Sequence, residues 1–169
     1  MAEVRVAPAD PFGPAALRLL AEMVAEIPPR YGETLDEAEA AARVDRLLAA
    51  HTAFAGDGGA FLLAVVGGEI AGCVALALLT EDTIGDTGEI KRMYVTPSLR
   101  RHRVGAALLA ALEEQARRLG YRRLRLETGD RQPEAVALYA RAGYTPIAPY
   151  GAFANDPSTL CMEKTLIRD

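Results

Sequence analysis

The stretch that most constrains the fold runs from Glu89 to Gly120, EIKRMYVTPSLRRHRVGAALLAALEEQARRLG. An extended segment ending at Val95 enters a tight basic turn, Thr96 to Arg103, and the turn enters a helix. Val104, Ala107, Leu108, Ala111, Leu112 and Leu119 recur at three- and four-residue intervals, so one face of that helix is apolar, and Gly120 is a stop signal. Arg100, Arg101, His102 and Arg103 precede Gly105. Cationic side chains and backbone N–H groups therefore converge at the positive end of the helix dipole, an arrangement that suits an anion, most naturally a phosphate. Read without any partner motif, the same arginines are solvated loop charges.

A chain of 169 residues is the size of one domain and long enough to bury a core without staples. With half its residues hydrophobic and a quarter charged, it has the balance of a folded globular protein. The net charge of −4 argues against general attraction to nucleic acid, which makes the arginine-rich turn a local feature. The arginines at 117, 118, 122, 123 and 125 read likewise as a solvated rim. Cys73 and Cys161 are far apart, each in an apolar run, and read as buried free thiols. With two distant histidines, His51 and His102, neither a metal site nor a histidine-based triad is expected. No apolar run approaches the ~20 residues that span a bilayer, and MAEVRVAPAD has no signal-peptide core, so no membrane association and a cytoplasmic location are the expectation.

Along the chain, EVRVAPA reads as a short strand that Pro8 confines to an early or edge position. A helix is predicted from Asp10 to Glu26, with Asp10 a cap, a stripe of Leu17, Leu20, Ala21 and Val24, and Pro28 and Pro29 as its end. A second helix is predicted from Leu35 to Ala50, capped by Thr34. Phe61–Val66 and Ile70–Leu79 form a hairpin joined by Gly67, Gly68 and Glu69; these glycines lack the spacing of a nucleotide loop. EDTIGDTG is a turn. Beyond Gly120, YRRLRLETG alternates as a strand with Leu124 and Leu126 on one face. A short helix follows from Pro133 to Ala142, then strands at Tyr144–Ala148 and Ser158–Leu166. This order predicts a single α/β domain over residues 1–169, with a mixed sheet of roughly six or seven strands flanked by about four helices.

The basic turn resembles the acyl-CoA-binding segment of the GNAT superfamily of N-acetyltransferases, whose signature is Gln/Arg-x-x-Gly-x-Gly/Ala. Arg100, Arg103 and Gly105 occupy the matching places, with Arg103 standing where the pattern has its first glycine. PEAVALYARAGY resembles the family's later segment, a short helix carrying Leu-Tyr and ending at Gly-Phe or Gly-Tyr; Gln132 stands where that segment often has Asn. CMEKTL is similar to its last strand. The resemblance covers roughly residues 61–166 and implies a GNAT-like fold, acetyl-CoA as acyl donor and no metal.

The resemblance also implies roles. The turn Arg100, Arg101, His102, Arg103, Val104, Gly105 and Ala106 would bind the diphosphate. Exposed backbone at Met93, Tyr94 and Val95, on a splayed sheet edge, would pair with the pantetheine arm and polarise the thioester carbonyl, with Gln132 contributing an amide. Glu89 would accept the amine proton directly or through water, unless it is a strand-end carboxylate or a partner for Lys91; Glu81, Asp82 and Asp86 are lesser substitutes. Tyr139 would protonate the departing thiolate, or else simply pack on the apolar face of its helix. The acceptor, a small-molecule amine or a peptide, would sit between IPPRYGETL and the loop 149–156, near Tyr31, Tyr150 and Phe153, with Arg30 and Glu33 as charged contacts. Homodimers are common among such proteins. The competing reading is a module that binds acyl-CoA without turnover. A phosphate-loop enzyme is disfavoured because G-x-x-x-x-G-K-[ST] is absent.

Overall fold

The structure, a computed structural model, describes residues 3–166; the remaining terminal residues of the expected domain lie outside the described residues. Strands β1 (Val4–Pro8), β2 (Ala60–Val66), β3 (Glu69–Leu78), β4 (Thr87–Val95), β5 (Arg123–Gly129), β6 (Thr145–Ile147) and β7 (Thr159–Thr165) form one seven-stranded sheet in the order β1-β2-β3-β4-β5-β7-β6. All neighbours are antiparallel except β4 and β5. That parallel pair needs a crossover, which is helix α4 (Val104–Arg118). The other helices are α1 (Pro14–Arg30), α2 (Glu37–Ala49), the single turn α3 (Thr52–Ala55) and α5 (Pro133–Arg141). The expected mixed sheet and α/β class are what the chain forms.

Two apolar layers hold the sheet. On one face, Val104, Leu108, Leu109 and Leu112 of α4 pack against Val74, Leu76, Ile90, Leu124 and Leu126. Each fully buried leucine there contributes about 1.5–3 kcal/mol. On the other face, Ala16 and Leu19 of α1 and Phe54 of α3 pack against Phe61, Cys73, Ala75 and Tyr94. Both cysteines are buried and free. Among the described residues, no helix is long and apolar enough to cross a membrane.

The helix boundaries differ from expectation where tertiary contacts override local signals. Helix α1 continues through Pro28 and Pro29 to Arg30. The two rings remove donors only from the last turn, and the proline carbonyls accept from Tyr31, Gly32 and Glu33. Asp10 does not cap this helix: its carboxylate accepts from Phe12 N–H, and Gly13 is the N-cap. The buried stripe is Ala16, Leu19, Leu20, Val24 and Pro28, while Leu17 and Ala21 face solvent. Helix α2 starts at Glu37 because Asp36 and Glu39 form a reciprocal capping box, which displaces Thr34 from that role. Leu119 is the C-cap of α4 and is partly exposed. Strand β6 shrinks to three residues, with Tyr144 buried just ahead of it.

Candidate active site

Strands β4 and β5 pair at only four positions, Thr87 with Arg123 through Ile90 with Leu126. Beyond Ile90, β4 stays with β3 as far as Val95 opposite Gly72, while β5 stays with β7 as far as Gly129 opposite Thr159. The sheet therefore parts into two arms. The β5-facing edge of Lys91–Val95 has no strand partner, which leaves backbone groups there open to an extended, amide-bearing ligand, except that Val95 C=O already accepts from Arg100 Nε. A β-bulge sits in the same stretch: Cys73 pairs with Tyr94 but Ala75 pairs with Lys91, so Arg92 and Met93 together oppose Val74. Arg92 has φ +55°. The bulge resets the alternation. Ile90, Met93 and Val95 join the α4 layer, and Tyr94 turns toward α1.

After β4 come a short 3₁₀ turn, Pro97–Leu99, and the basic loop. Arg101 and Arg103 adopt left-handed φ of +66° and +62°, and Arg101, His102 and Arg103 are exposed. The first bond of α4 runs from Ala107 N–H to Arg103 C=O, so the N–H groups of Val104, Gly105 and Ala106 precede the helical ladder. No side chain caps them, and no acid occurs in that turn. The contrast with α2, which opens on Asp36, Glu37 and Glu39, is informative. One helix supplies its own negative charge; the other leaves its positive end open between arginines. Gly105 lets α5 approach, since a Cβ there would come within 3.1 Å of Leu138.

Arg100, expected at a phosphate, is committed elsewhere. Its guanidinium spans both oxygens of Glu26 on α1 at 2.9 and 2.6 Å, and its Nε donates to Val95 C=O at 3.0 Å. It also lies over the Tyr94 ring. The Tyr94 hydroxyl donates to Glu26 at 2.9 Å, and Arg30 reaches both Glu26 and Glu134 of α5. Partial burial disfavours the Glu26 charge, but hydrogen bonds from Arg100, Tyr94 and Arg30 outweigh it and hold the carboxyl at about 2 against an ordinary 4.5. A depressed carboxyl contributes stability above the unfolded value and loses it as pH falls from 4.5 toward 2. Glu26→Gln is thus expected to lower the urea midpoint at pH 7 and to flatten its decline across that acid window.

Polar groups cluster on the α1 side of the parting. Glu89 is mostly buried; Lys91 Nζ lies 2.8 Å away, and the Tyr150 hydroxyl donates to it at 3.2 Å. Burial first, and the neighbouring Glu89 and Glu127 charges next, push the Tyr150 phenol up, so it stays protonated. Glu127 comes in from β5, with its carboxyl raised by burial and by Glu89 and Glu81, although Lys91 opposes this. No motif in the sequence points to Glu127. The signal it does carry is its place after Arg123 and Arg125 on the polar face of an alternating strand, and the fold sets that strand beside β4. Tyr139 lies on the opposite face, only 4% exposed, its ring edge-on to Tyr144 at 5.7 Å. Burial raises its phenol and keeps the proton on it.

A cleft of about 620 Å³ opens between the end of α1 and the loops after β5 and β6. Tyr31, Glu33, Arg43, Asp130, Arg131 and Asp156 line it. Gly129 gives Tyr31 its place, since any Cβ there would overlap the phenol, and Gln132 Nε2 donates to the Tyr31 hydroxyl at 3.3 Å. Arg43 pairs with Glu33, and Arg30 with Glu26 and Glu134, so the two expected acceptor charges at 30 and 33 are already partnered. Tyr150 turns to Glu89 rather than into the cleft, and Phe153 stands exposed on its loop.

The sequence model of the Acetyltransferase (GNAT) family matches residues 20–144. The chain belongs to that family. It is 42% identical over 106 residues to the IAA acetyltransferase of Azospirillum brasilense, an overlap of 63% of this chain and 67% of that protein. The chain spans about two thirds of the length of the curated relatives that it matches first. It is similar over 99% of its length, and over all of the other chain, to a Klebsiella pneumoniae protein assigned as an acyl-CoA N-acyltransferase, with TM-score 0.74 and 32% identity. It also shares the fold of Salmonella typhimurium YncA, solved with acetyl-CoA, at TM-score 0.72 and 20% identity over 98% of this chain and 95% of that one.

Arg103, which stands where the family pattern has glycine, is exposed and takes a left-handed φ of +62° that glycine adopts freely. An L residue there costs about 1 kcal/mol. Arg103→Gly is expected to raise stability by a few tenths to about 1 kcal/mol, because glycine's larger unfolded-state entropy offsets part of the relief. Removing the cation should weaken CoA binding by roughly 3–10-fold. Thermal melting and calorimetry read the two opposed effects.

Proposed function

We propose that this GNAT protein transfers an acetyl group from acetyl-CoA to an amine. The observation that carries the reading is the uncapped, acid-free start of α4 lying at the end of the unpaired β4 edge. The site's residues fit the donor. The amides of Val104, Gly105 and Ala106, with Arg101, His102 and Arg103 around them, would hold the diphosphate. The free edge at Met93–Val95 would pair with the pantetheine amides, and Gln132, at the head of α5, would add a side-chain amide. Acetyl-CoA, when bound, supplies the activated acyl thioester.

The protein's own groups divide the proton work across the parting. A lysine-like amine has a pKa near 10.4 and must shed a proton to attack. Glu89 would take it, directly or through water, with Tyr150 orienting the carboxylate and Glu127 as a neighbouring proton store. A β4 backbone N–H would donate to the carbonyl oxygen as negative charge grows on it. Tyr139, on the other face, would give its proton to the leaving sulfur. The acceptor, a small amine or a peptide N-terminus, would enter by the Tyr31 cleft.

A competing reading is a module that holds acyl-CoA without turnover. In its favour, Tyr139 packs in the main core and Glu89 is paired with Lys91. One assay separates them: a panel of amines incubated with acetyl-CoA, with released thiol detected. Turnover confined to one acceptor class supports the transferase. CoA binding with silence across a broad panel supports the module, and failure to bind CoA removes both.

A further inference from the structure

Arg92 lies in β4 within the bulge, where φ of +55° would suit glycine. Its side chain turns inward, away from the β4–β5 parting. Nε donates to His51 Nε2 at 3.3 Å, Nη2 donates to Leu47 C=O at 3.2 Å, and the guanidinium lies over the Phe54 ring. His51 is 1% exposed and meets Pro11 C=O through Nδ1 at 2.7 Å. One tautomer satisfies both contacts: Nδ1–H donates to Pro11, and the Nε2 lone pair accepts from Arg92. Cys73 Sγ donates to Arg92 C=O at 3.3 Å. Among the described residues, no carboxylate pairs with this guanidinium. Burial without a counter-ion works against its charge.

Two costs thus fall on one residue: a left-handed backbone that glycine adopts freely, and a desolvated cation held by neutral acceptors. Both make sense if the side chain's grip on the α2–α3 corner is what the position supplies. That grip fixes the bulge from behind, and the bulge sets how the next residues, Met93 to Val95, present their backbone to the β4–β5 opening.

We infer that Arg92, locked by His51 and Leu47 C=O, is a positioning residue that aims the Met93–Val95 backbone at the reacting acyl group. The inference rests on the opening between β4 and β5 being the donor channel. Arg92 touches neither donor nor acceptor; it acts through the bulge.

Arg92→Gly separates the two costs, since glycine keeps the positive φ while the anchor is lost. The expected result is a kcat lower by about 10–100-fold, because roughly 1 Å of misplacement can cost 100-fold. CoA affinity should stay within about 3-fold of wild type, since the diphosphate contacts lie on α4, and the acceptor KM should hardly move. Arg92→Lys retains the charge and one donor group, so it is expected to recover part of kcat, ending about 3–10-fold below wild type.

A folded Arg92→Gly protein with wild-type kcat would overturn the inference, as would kcat, CoA affinity and melting temperature falling together. Should the glycine variant not fold, Arg92→Lys decides: lowered kcat at unchanged CoA affinity supports positioning, and unchanged kcat overturns it. Hydrogen exchange of the wild-type protein with CoA separates the premise from the anchor. If CoA binds without protecting the amides of residues 93–95, the donor-channel reading fails. If those amides are protected and Arg92→Gly is fully active, the anchor alone fails.

Discussion

Placing an aspartate at Ala106 is expected to weaken CoA binding by about 100-fold while leaving the protein as stable as before or slightly more so. Ala106 is exposed in the first turn of α4, a turn that carries no acid. A carboxylate there complements the helix dipole by about 0.3–1 kcal/mol. The same charge would face a bound diphosphate. Like-charge contacts at a binding site cost several kcal/mol, and about 1.4 kcal/mol is a factor of ten. Calorimetric titration with CoA and a thermal melt measure the two effects on one sample. Ala106→Asn has nearly the same size without the charge and should lose far less affinity; equal losses would assign the effect to crowding rather than charge. Unchanged affinity in Ala106→Asp would remove the phosphate from this helix.

The second large effect is expected at Glu89. Glu89→Gln should lower kcat by about 10²–10³-fold, the scale of general-base catalysis, with little change in CoA affinity. Tyr150 can donate to an amide oxygen as it does to the carboxylate, so local geometry should survive. Lys91 loses its partner but is partly exposed, which limits the stability cost to about 1 kcal/mol or less. Stopped and continuous thiol-release assays with a responsive amine provide the numbers. Glu127→Gln run alongside should show a smaller loss if Glu127 only tunes the site. Full activity in Glu89→Gln, with the loss appearing in Glu127→Gln instead, would transfer the base to β5.

Much of this architecture could be read from periodicity and punctuation. The Phe61–Leu79 hairpin announces itself through paired β-rich runs around Gly67 and Gly68, both of which have positive φ. The Val104 helix follows from its apolar spacing, and the Pro133 helix from a proline start and a glycine stop. What escaped is what local pattern does not encode. Glu26 and Arg100 lie 74 residues apart, so their pairing is a product of the fold, and an arginine expected to meet phosphate braces α1 instead. The bulge at Arg92 carries no glycine or asparagine to signal it, because side-chain anchoring does what a permissive residue would otherwise do. Prolines 28 and 29 read as a terminus, yet α1 runs through both at the cost of the helical donors to Val24 and Ala25 C=O, with buried Pro28 completing the apolar stripe. Glu127 was hidden because its importance depends on which strand lies beside it, and only parallel pairing of distant segments brings it to Glu89.

The brevity of that parallel pairing has a mechanical consequence. Among the described residues, four residue pairs are the sole ladder between the β1–β4 half and the β5–β7 half, so rupture there severs no antiparallel hairpin on either side. Within the sheet, excursions in which the halves swing apart have only this short ladder to break, and the α4 layer that packs on both halves is what resists them. A ligand spanning both halves would act as a rivet, and its departure would restore the freedom to breathe between successive turnovers.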